Sequence, residues 1–228
     1  MEADWSALWI SLKVALLCLA VISPPGIILA WLLARKPFKG KALVEALVHA
    51  PLVLPPVVTG YFLLLALGRK GWIGQWLEAW LDIKLAFNLS GAVVAAAVMG
   101  FPLLVRSLRL SIELVDPRLE IAAATLGAKP IKIFFSITLP LALPGLVTGM
   151  TLAFARALGE FGATITFAGN IEGETRTIPL AVFSYMQTPG KEQQVMILAL
   201  LAMTLSVGAL LISEWFARRL KQRMGTEG

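Results

Sequence analysis

Residues 120–140 read EIAAATLGAKPIKIFFSITLP, a polar and basic segment set between strongly apolar runs. Just before it, Asp116 is suited to cap a helix and Pro117 to occupy the first helical position, while Gly127 and Pro130 divide the segment in two. The pattern predicts a short helix whose alanine side chains would let another protein approach closely. It also fits an amphipathic helix that rests on lipid headgroups.

The composition around this segment is that of an integral membrane protein. The chain has 228 residues, of which 58% are hydrophobic and 15% charged, and its mean hydropathy is +0.80. Soluble domains are about half apolar and about a quarter charged. The sequence therefore predicts an all-α protein that crosses the membrane several times, and the length suits a single domain over residues 1–228.

Five apolar runs are long enough to cross a bilayer, because a helical span needs roughly 20 residues. They are about Leu8–Ala34, Leu43–Leu67, Leu89–Leu110, Leu139–Phe161 and Met196–Trp215. A sixth run, Thr177–Met186, is only about half a span long. It predicts a short helix at one mouth of the bundle.

The basic residues predict the orientation of these spans. Thirteen of the 20 lysines and arginines fall in three segments, which should therefore be cytoplasmic. Five spans then put the N-terminus outside and the C-terminus in the cytoplasm. Since these residues sit at the ends of apolar runs, no nucleic-acid partner is expected. They are Arg35, Lys36, Lys39, Lys41, Arg106, Arg109, Arg118, Lys129, Lys132, Arg218, Arg219, Lys221 and Arg223.

The second apolar run is interrupted by prolines, in the sequence APLVLPPVVTGY at residues 50–61. Each proline removes a backbone donor and bends the helix. The freed carbonyls must then be satisfied by neighbouring helices or by water in a cavity. The run is therefore a candidate wall of a path through the bundle, or else a static kink that improves packing. Its candidate path residues are Pro55, Pro56, Thr59 and Tyr61.

The fourth run ends in FARALGEFGATITFAGN, at residues 154–170. Arg156 and Glu160 are four residues apart and would share one face of a helix. Arg156 lies about 24 Å beyond Pro140 at the helical rise, where charged groups usually face a bundle interior or a water-filled cavity. Flanking glycines would allow bending and close approach. The pattern favours a gate, or a pair that only neutralises itself, formed by Arg156, Gly159, Glu160, Gly162 and Thr164.

The loop that follows, residues 169–190, is polar, rich in turns and predicted to be external. Its threonines and those just before it supply neutral hydrogen-bond donors, and Arg176 adds positive potential. Neutral donors can escort an anion without holding it too tightly. This part of the chain is therefore compatible with an oxyanion as cargo.

The opening segment resembles the EAA loop of ABC importer permeases: alanines followed by Gly127, nine further residues, and then Ile137-x-Leu139-Pro140. In that family the loop is the coupling helix, which docks in a groove of the cytoplasmic ATPase. The family usually places its glutamate six residues before the glycine, where this chain has Ile121. The resemblance implies a coupling region at 116–138, with ATPase-coupling residues Glu120, Ala122, Ala123, Gly127, Ile137 and Pro140.

Three further stretches resemble the permease subunits of molybdate ABC transporters. The resemblance implies the transmembrane fold of type I ABC importers, in a bacterial or archaeal plasma (inner) membrane. It also implies a homodimer, two cytoplasmic ATPase subunits and an extracytoplasmic oxyanion-binding protein. The stretches are LVLPPVVTGYFLLLALGRKGWIG at 52–74, ARALGEFGATITFAGNIEGETRTIPLAVF at 155–183 and QTPG at 187–190.

The chain itself is expected to be a transport subunit without an ATPase site, because it contains no G-x-x-x-x-G-K-[ST] phosphate loop. Neither a cofactor nor a bound metal is expected. Sulfate and thiosulfate permeases share the GE-[FY]-G feature and the EAA loop, so they remain an alternative, and tungstate is nearly isosteric with molybdate. A passive channel or secondary transporter would instead predict midplane titratable groups or two inverted halves. A membrane enzyme would need a nucleophile–base pair or a metal cluster.

Overall fold

The computed structural model describes residues 5–223, with side chains as far as residue 219. All regular secondary structure in these residues is helical. The elements are α1 (Trp5–Arg35), α2 (Lys41–Val53), α3 (Pro56–Leu67), α4 (Trp72–Leu81), α5 (Leu89–Glu113), α6 (Pro117–Thr125), α7 (Pro130–Ile133), a π-helical turn (Phe134–Thr138), α8 (Leu139–Leu158), α9 (Gly162–Phe167), α10 (Ile178–Met186) and α11 (Glu192–Arg223).

Four helical stretches in residues 5–223 are long and apolar enough to cross a membrane, which confirms a polytopic helical fold. They match four of the five expected spans, but the stretch expected to end at Phe161 ends at Leu158. The stretches are Trp5–Arg35, Leu89–Glu113, Pro130–Leu158 and Glu192–Arg219. The fifth expected span, Leu43–Leu67, is not one straight helix, because the chain bends by 118° between α2 and α3.

Two successive prolines lie at the break between α2 and α3. A residue that precedes proline is pushed out of the helical region by a steric clash. Leu54 and Pro55 both precede a proline, and both are extended, with ψ of 143° and 132°. Pro56 then begins α3 at a position where its missing N–H costs no hydrogen bond. The prolines at residues 24–25 lie inside an unbroken α1, so a proline pair alone does not fix the outcome.

The core lies along α5, which packs between α1 and α8. In its most apolar stretch 61% of the residues are buried within the bundle, against 6% for α11. Small residues allow this close packing, as is usual between membrane helices. A β-carbon at Gly149 of α8 would lie 3.1 Å from Leu104 Cα, and the Ser107 hydroxyl donates to the Gly145 carbonyl at 2.9 Å.

The short helix expected at Thr177–Met186 is present as α10, and it lies at one end of the bundle. It packs against the starts of α1 and α11, through Ala7, Ile178, Ala181 and Leu198. The backbone N–H of Ile178 donates to the Ser11 hydroxyl at 2.7 Å. Helix α4 is not among the predicted elements, and its tryptophans lie largely exposed.

The opposite end of the bundle collects two of the three basic segments. Arg35 at the end of α1 pairs with Glu120 of α6 at 3.0 Å, and Arg109 near the end of α5 pairs with Glu45 of α2 at 2.8 Å. Residues 35–45 and 105–138 therefore lie together, as the orientation rule requires. Which side of the membrane they face stays a prediction. The side chains of Lys221 and Arg223 lie outside the described residues.

Candidate functional site

Two interrupted helices touch at their breaks. One break separates α2 from α3, and the other separates α8, which ends at Leu158, from α9, which begins at Gly162. A β-carbon at Gly162 would lie 2.8 Å from Pro56 Cβ and 3.0 Å from the Val57 backbone nitrogen. Only glycine leaves room for this approach, so the start of α9 is seated on the start of α3.

The contact continues along both short helices. A β-carbon at Gly60 of α3 would lie 2.7 Å from the Ala163 carbonyl oxygen and 2.9 Å from Thr166 Cβ of α9. Thr59 and Gly60 are buried, whereas Tyr61 is 52% exposed. Thus α3 presents one face to α9 and leaves the other open. Broken helices at membrane depth occur where they are packed by protein or line a water-filled cavity.

Glu160 lies between α8 and α9 and is 1% exposed. Its Oε1 accepts a hydrogen bond from the Ala163 backbone N–H at 2.8 Å, and its Oε2 lies 2.5 Å from Arg156 Nη1. A carboxylate beside the first turn of a helix is favourably placed for the exposed N–H groups. Glu160 therefore ties the end of α8 to the start of α9.

The expectation that Arg156 and Glu160 share a continuous helical face is wrong. Helix α8 ends at Leu158, and the chain turns through Gly159 before it reaches Glu160. The ion pair nevertheless forms, because the turn carries the carboxylate back towards the helix that it has left. The Arg156 side chain is 27% exposed, so a buried carboxylate is matched by a partly accessible guanidinium.

The structure assembles most, but not all, of the candidate path residues. Pro56, Glu160 and Gly162 meet at the two breaks, and Thr164 is buried in α9 beside them. Pro55 is exposed at the bend, and its carbonyl lies 3.5 Å from the Thr59 hydroxyl. Gly159 provides no close approach, since a β-carbon there would be 3.7 Å from the nearest atom, the Ala155 carbonyl oxygen.

The donors expected to serve an anion are largely engaged in holding the loop after α9. The Thr175 hydroxyl donates to the Gly169 carbonyl at 3.2 Å and accepts from the Ile171 N–H at 2.9 Å. Arg176 Nε donates to Asn170 Oδ1 at 3.1 Å, and its Nη1 lies 3.1 Å from Glu172 Oε2. These groups give the loop its shape. The amide of Asn170 in turn donates to the Ser184 hydroxyl of α10 at 2.7 Å.

Helix α6 stands out from the opposite end of the bundle with the expected boundaries. Asp116 Oδ1 accepts from the Arg118 N–H at 2.9 Å, and Pro117 occupies the first helical position. None of the residues of α6 is buried. Gly127 has a φ of +81°, a backbone conformation that residues other than glycine adopt only with strain. It redirects the chain towards α7, which starts at Pro130.

Large apolar side chains are exposed on α6 and in the segments on either side of it. Ala122 is exposed and Ala123 half-buried, while Ile137 and Pro140 are half-buried where the π-helical turn enters α8. The large apolar residues of this surface, here called the α6 surface, are Leu114, Leu119, Ile121, Leu126 and Ile131, and all of them are exposed. An apolar surface of this kind marks a site of contact with protein or membrane.

Glu120 points away from the α6 surface. Its Oε1 accepts hydrogen bonds from Arg35 Nε at 3.1 Å, from Arg35 Nη2 at 3.0 Å and from the Thr138 hydroxyl at 2.7 Å. Arg35 Nη2 also donates to the Val115 carbonyl at 2.9 Å. From the sequence, Arg35 is predicted only as part of the orientation signal. A contact between residues 85 positions apart leaves no trace in local spacing.

A family model described as "Binding-protein-dependent transport system inner membrane component" matches residues 26–225. The chain is 54% identical to the molybdenum transport system permease protein ModB of Escherichia coli K12 over 224 residues, which is 98% of both chains. It is likewise 54% identical to ModB of Haemophilus influenzae, over 96% of both chains. The sulfate transport system permease protein CysW of Synechocystis is 38% identical, over 86% of this chain and 72% of its own length.

Two solved structures have the same fold at low sequence identity. A bacterial ABC transporter involved in the import of alginate matches with a TM-score of 0.76 and 16% identity, over 96% of this chain and 80% of its own. The MetNI methionine ABC transporter, in an inward-facing conformation, matches with a TM-score of 0.68 and 16% identity, over 96% and 94%. At this identity the likeness concerns the fold of the membrane-spanning chain.

Proposed function

Because the chain belongs to the family of binding-protein-dependent transport system inner membrane components, we propose that it is the permease subunit of an ATP-driven molybdate importer. We infer the substrate from the 54% identity to two molybdenum permeases over almost the whole chain. The sulfate permease CysW, at 38%, makes sulfate the less supported alternative.

Two copies of the chain would enclose the translocation path, each as one domain over residues 1–228. The contact between the two helix breaks supports this role, because it places a bend, a buried carboxylate and an arginine side by side. Tyr61 and the open face of α3 would turn towards the path or the second copy. Pro55, Pro56, Thr59, Arg156, Gly159, Glu160, Gly162 and Thr164 complete the proposed wall and gate.

ATP hydrolysis would take place on two separate ATPase subunits in the cytoplasm. The α6 surface suits their docking, since none of the residues of α6 is buried and its large apolar side chains are exposed. Region 116–138 is the proposed coupling segment. Ala122, Ala123 and Gly127 allow close approach, Ile137 and Pro140 connect the segment to α8, and Glu120 holds it against the bundle.

The proposal also assigns an orientation to the chain in the membrane. The end that carries residues 35–45 and α6 would face the cytoplasm, as the excess of lysine and arginine indicates. The opposite end, with α10 and the loop after α9, would receive the oxyanion from an extracytoplasmic binding protein. Closure of the ATPase dimer would draw the two copies of α6 together and open the path outwards.

Competition in an uptake assay tests the proposed substrate. The complex is reconstituted with its ATPase and binding protein, and ATP-driven uptake of labelled molybdate is measured with excess tungstate or sulfate. Strong competition by tungstate and little by sulfate is expected, because tungstate has nearly the size and charge of molybdate. Strong competition by sulfate with none by tungstate would instead identify a sulfate importer.

A further inference from the structure

Three elements meet at one polar joint, formed by Arg35, Glu120, Thr138 and the carbonyl of Val115. Arg35 is the last residue of α1, Glu120 lies in the first turn of α6, and Thr138 ends the π-helical turn. One carboxylate oxygen of Glu120 accepts all three side-chain hydrogen bonds of the joint, at 2.7 to 3.1 Å. The joint thus connects segments that are far apart in sequence.

The joint is shielded from solvent although it lies at the end of the bundle. The side chains of Arg35 and Glu120 are 14% and 21% exposed, and Thr138 is 1% exposed. Val115, whose carbonyl accepts the fourth bond, packs in the same cluster as Leu33 of α1. Hydrogen bonds to ionised groups in such surroundings are stronger than those in water, and an unmatched partner is costly.

The rest of α6 makes little contact that could hold it in place. None of its residues is buried, and it packs mainly on α7 and the π-helical turn, which follow it directly in the chain. Glu120 is therefore its principal tether to α1. Because Thr138 immediately precedes Leu139, the same carboxylate also holds the base of α8.

Both helices reached by the joint lead to the candidate path. Helix α8 runs from Thr138 to the break at Gly159, beyond which Glu160 is paired with Arg156. Helix α1 packs along α5 and α8. A displacement of α6 that preserves the joint must move the base of α8 and the end of α1 together.

We propose that Glu120 is a positioning residue for transport, which transmits movement of α6 to α1 and α8 through Arg35 and Thr138, and that it does not bind the ATPase. This inference rests on the proposed importer function. The exposed residue beside it is Ile121, which lies on the α6 surface and is free to contact the ATPase. Glu120 already accepts three hydrogen bonds from within its own chain.

The test compares Glu120→Gln, Arg35→Gln and the double variant in proteoliposomes that contain the whole complex. The quantity measured is ATP hydrolysed per molybdate transported. Each single variant leaves one partner of the pair unmatched, and the ratio is expected to rise roughly five- to tenfold with ATPase binding unchanged. The double variant should do no more than the worse single one, because both act on one unit. Thr138→Val removes one bond and should give a smaller rise.

The matched control is Glu214→Gln, which breaks an exposed pair with Arg218 in α11 and should leave the ratio unchanged. An unchanged ratio in assembled Glu120→Gln would overturn the inference, as would loss of ATPase binding in Glu120→Gln but not in Arg35→Gln. Amide hydrogen exchange of residues 118–126 gives a second readout, expected to accelerate in both single variants. If the unaltered complex moves no molybdate, the proposed function fails. The hydrogen-exchange data alone then test whether the bonds between Glu120 and Arg35 hold α6 in place.

Discussion

Gly162 of α9 lies against Pro56 of α3 with no space for a side chain between them, since a β-carbon at Gly162 would come within 2.8 Å of Pro56 Cβ. The two residues begin the helices that follow the two breaks in the bundle. Their contact places the bend after Leu54 beside the turn at Gly159. The sequence marked both regions as irregular, and the fold brings them together.

Replacing Gly162 by alanine is expected to destabilise this contact. The added methyl group would meet Pro56 and the Val57 backbone nitrogen, and overpacking of this kind costs about 1–3 kcal/mol. The melting temperature in detergent and molybdate uptake should both fall. Gly208→Ala in α11 is the matched control, because no atom lies within 4 Å of the methyl group that it adds. Equal losses of melting temperature and uptake in both variants would contradict a tight contact between Gly162 and Pro56.

Gly127→Ala should weaken association with the ATPase. Alanine in the left-handed conformation costs about 1–2 kcal/mol, so the turn from α6 to α7 would relax and displace the α6 surface. Co-purification of the ATPase measures the effect. Gly173→Ala introduces the same strain at a φ of +77°, likewise in open space, but in the loop after α9. Equal ATPase recovery from the two variants would argue against α6 as the docking element.

Glu160→Gln tests the gate. The amide oxygen of glutamine can still accept from the Ala163 N–H, but Arg156 loses the opposite charge. Uptake should fall about tenfold, the effect of weakening one ion pair by about 1.4 kcal/mol, while assembly with the ATPase persists. Glu172→Gln, which removes the exposed carboxylate of an ion pair with Arg176, should transport normally. Normal uptake by Glu160→Gln would leave the pair a purely structural role.

The spans and the boundaries of α6 were predictable because their causes are local. A run of apolar residues sets a span, Asp116 and Pro117 set the start of a helix, and Gly127 supplies a left-handed residue at its end. Each of these signals acts within a few residues. The structure therefore agrees with the sequence at these places.

The joints between distant segments could not be predicted in this way. The pair of Arg35 and Glu120 depends on how α1 and α6 are placed in space. The effect of a proline pair is equally hard to predict. The prolines at residues 24–25 lie within one helix, whereas the chain bends by 118° at residues 55–56. The difference arises from what each segment packs against, and Pro56 packs against α9.

As the proposed permease of an ATP-driven importer, this chain forms the path for molybdate. The most direct measurement is uptake of labelled molybdate by proteoliposomes that contain the chain, its co-purified ATPase and its binding protein. Uptake against a gradient is predicted with ATP, and none with a non-hydrolysable analogue. Molybdate entry at the same rate with and without ATP hydrolysis would contradict the claim and indicate a passive channel.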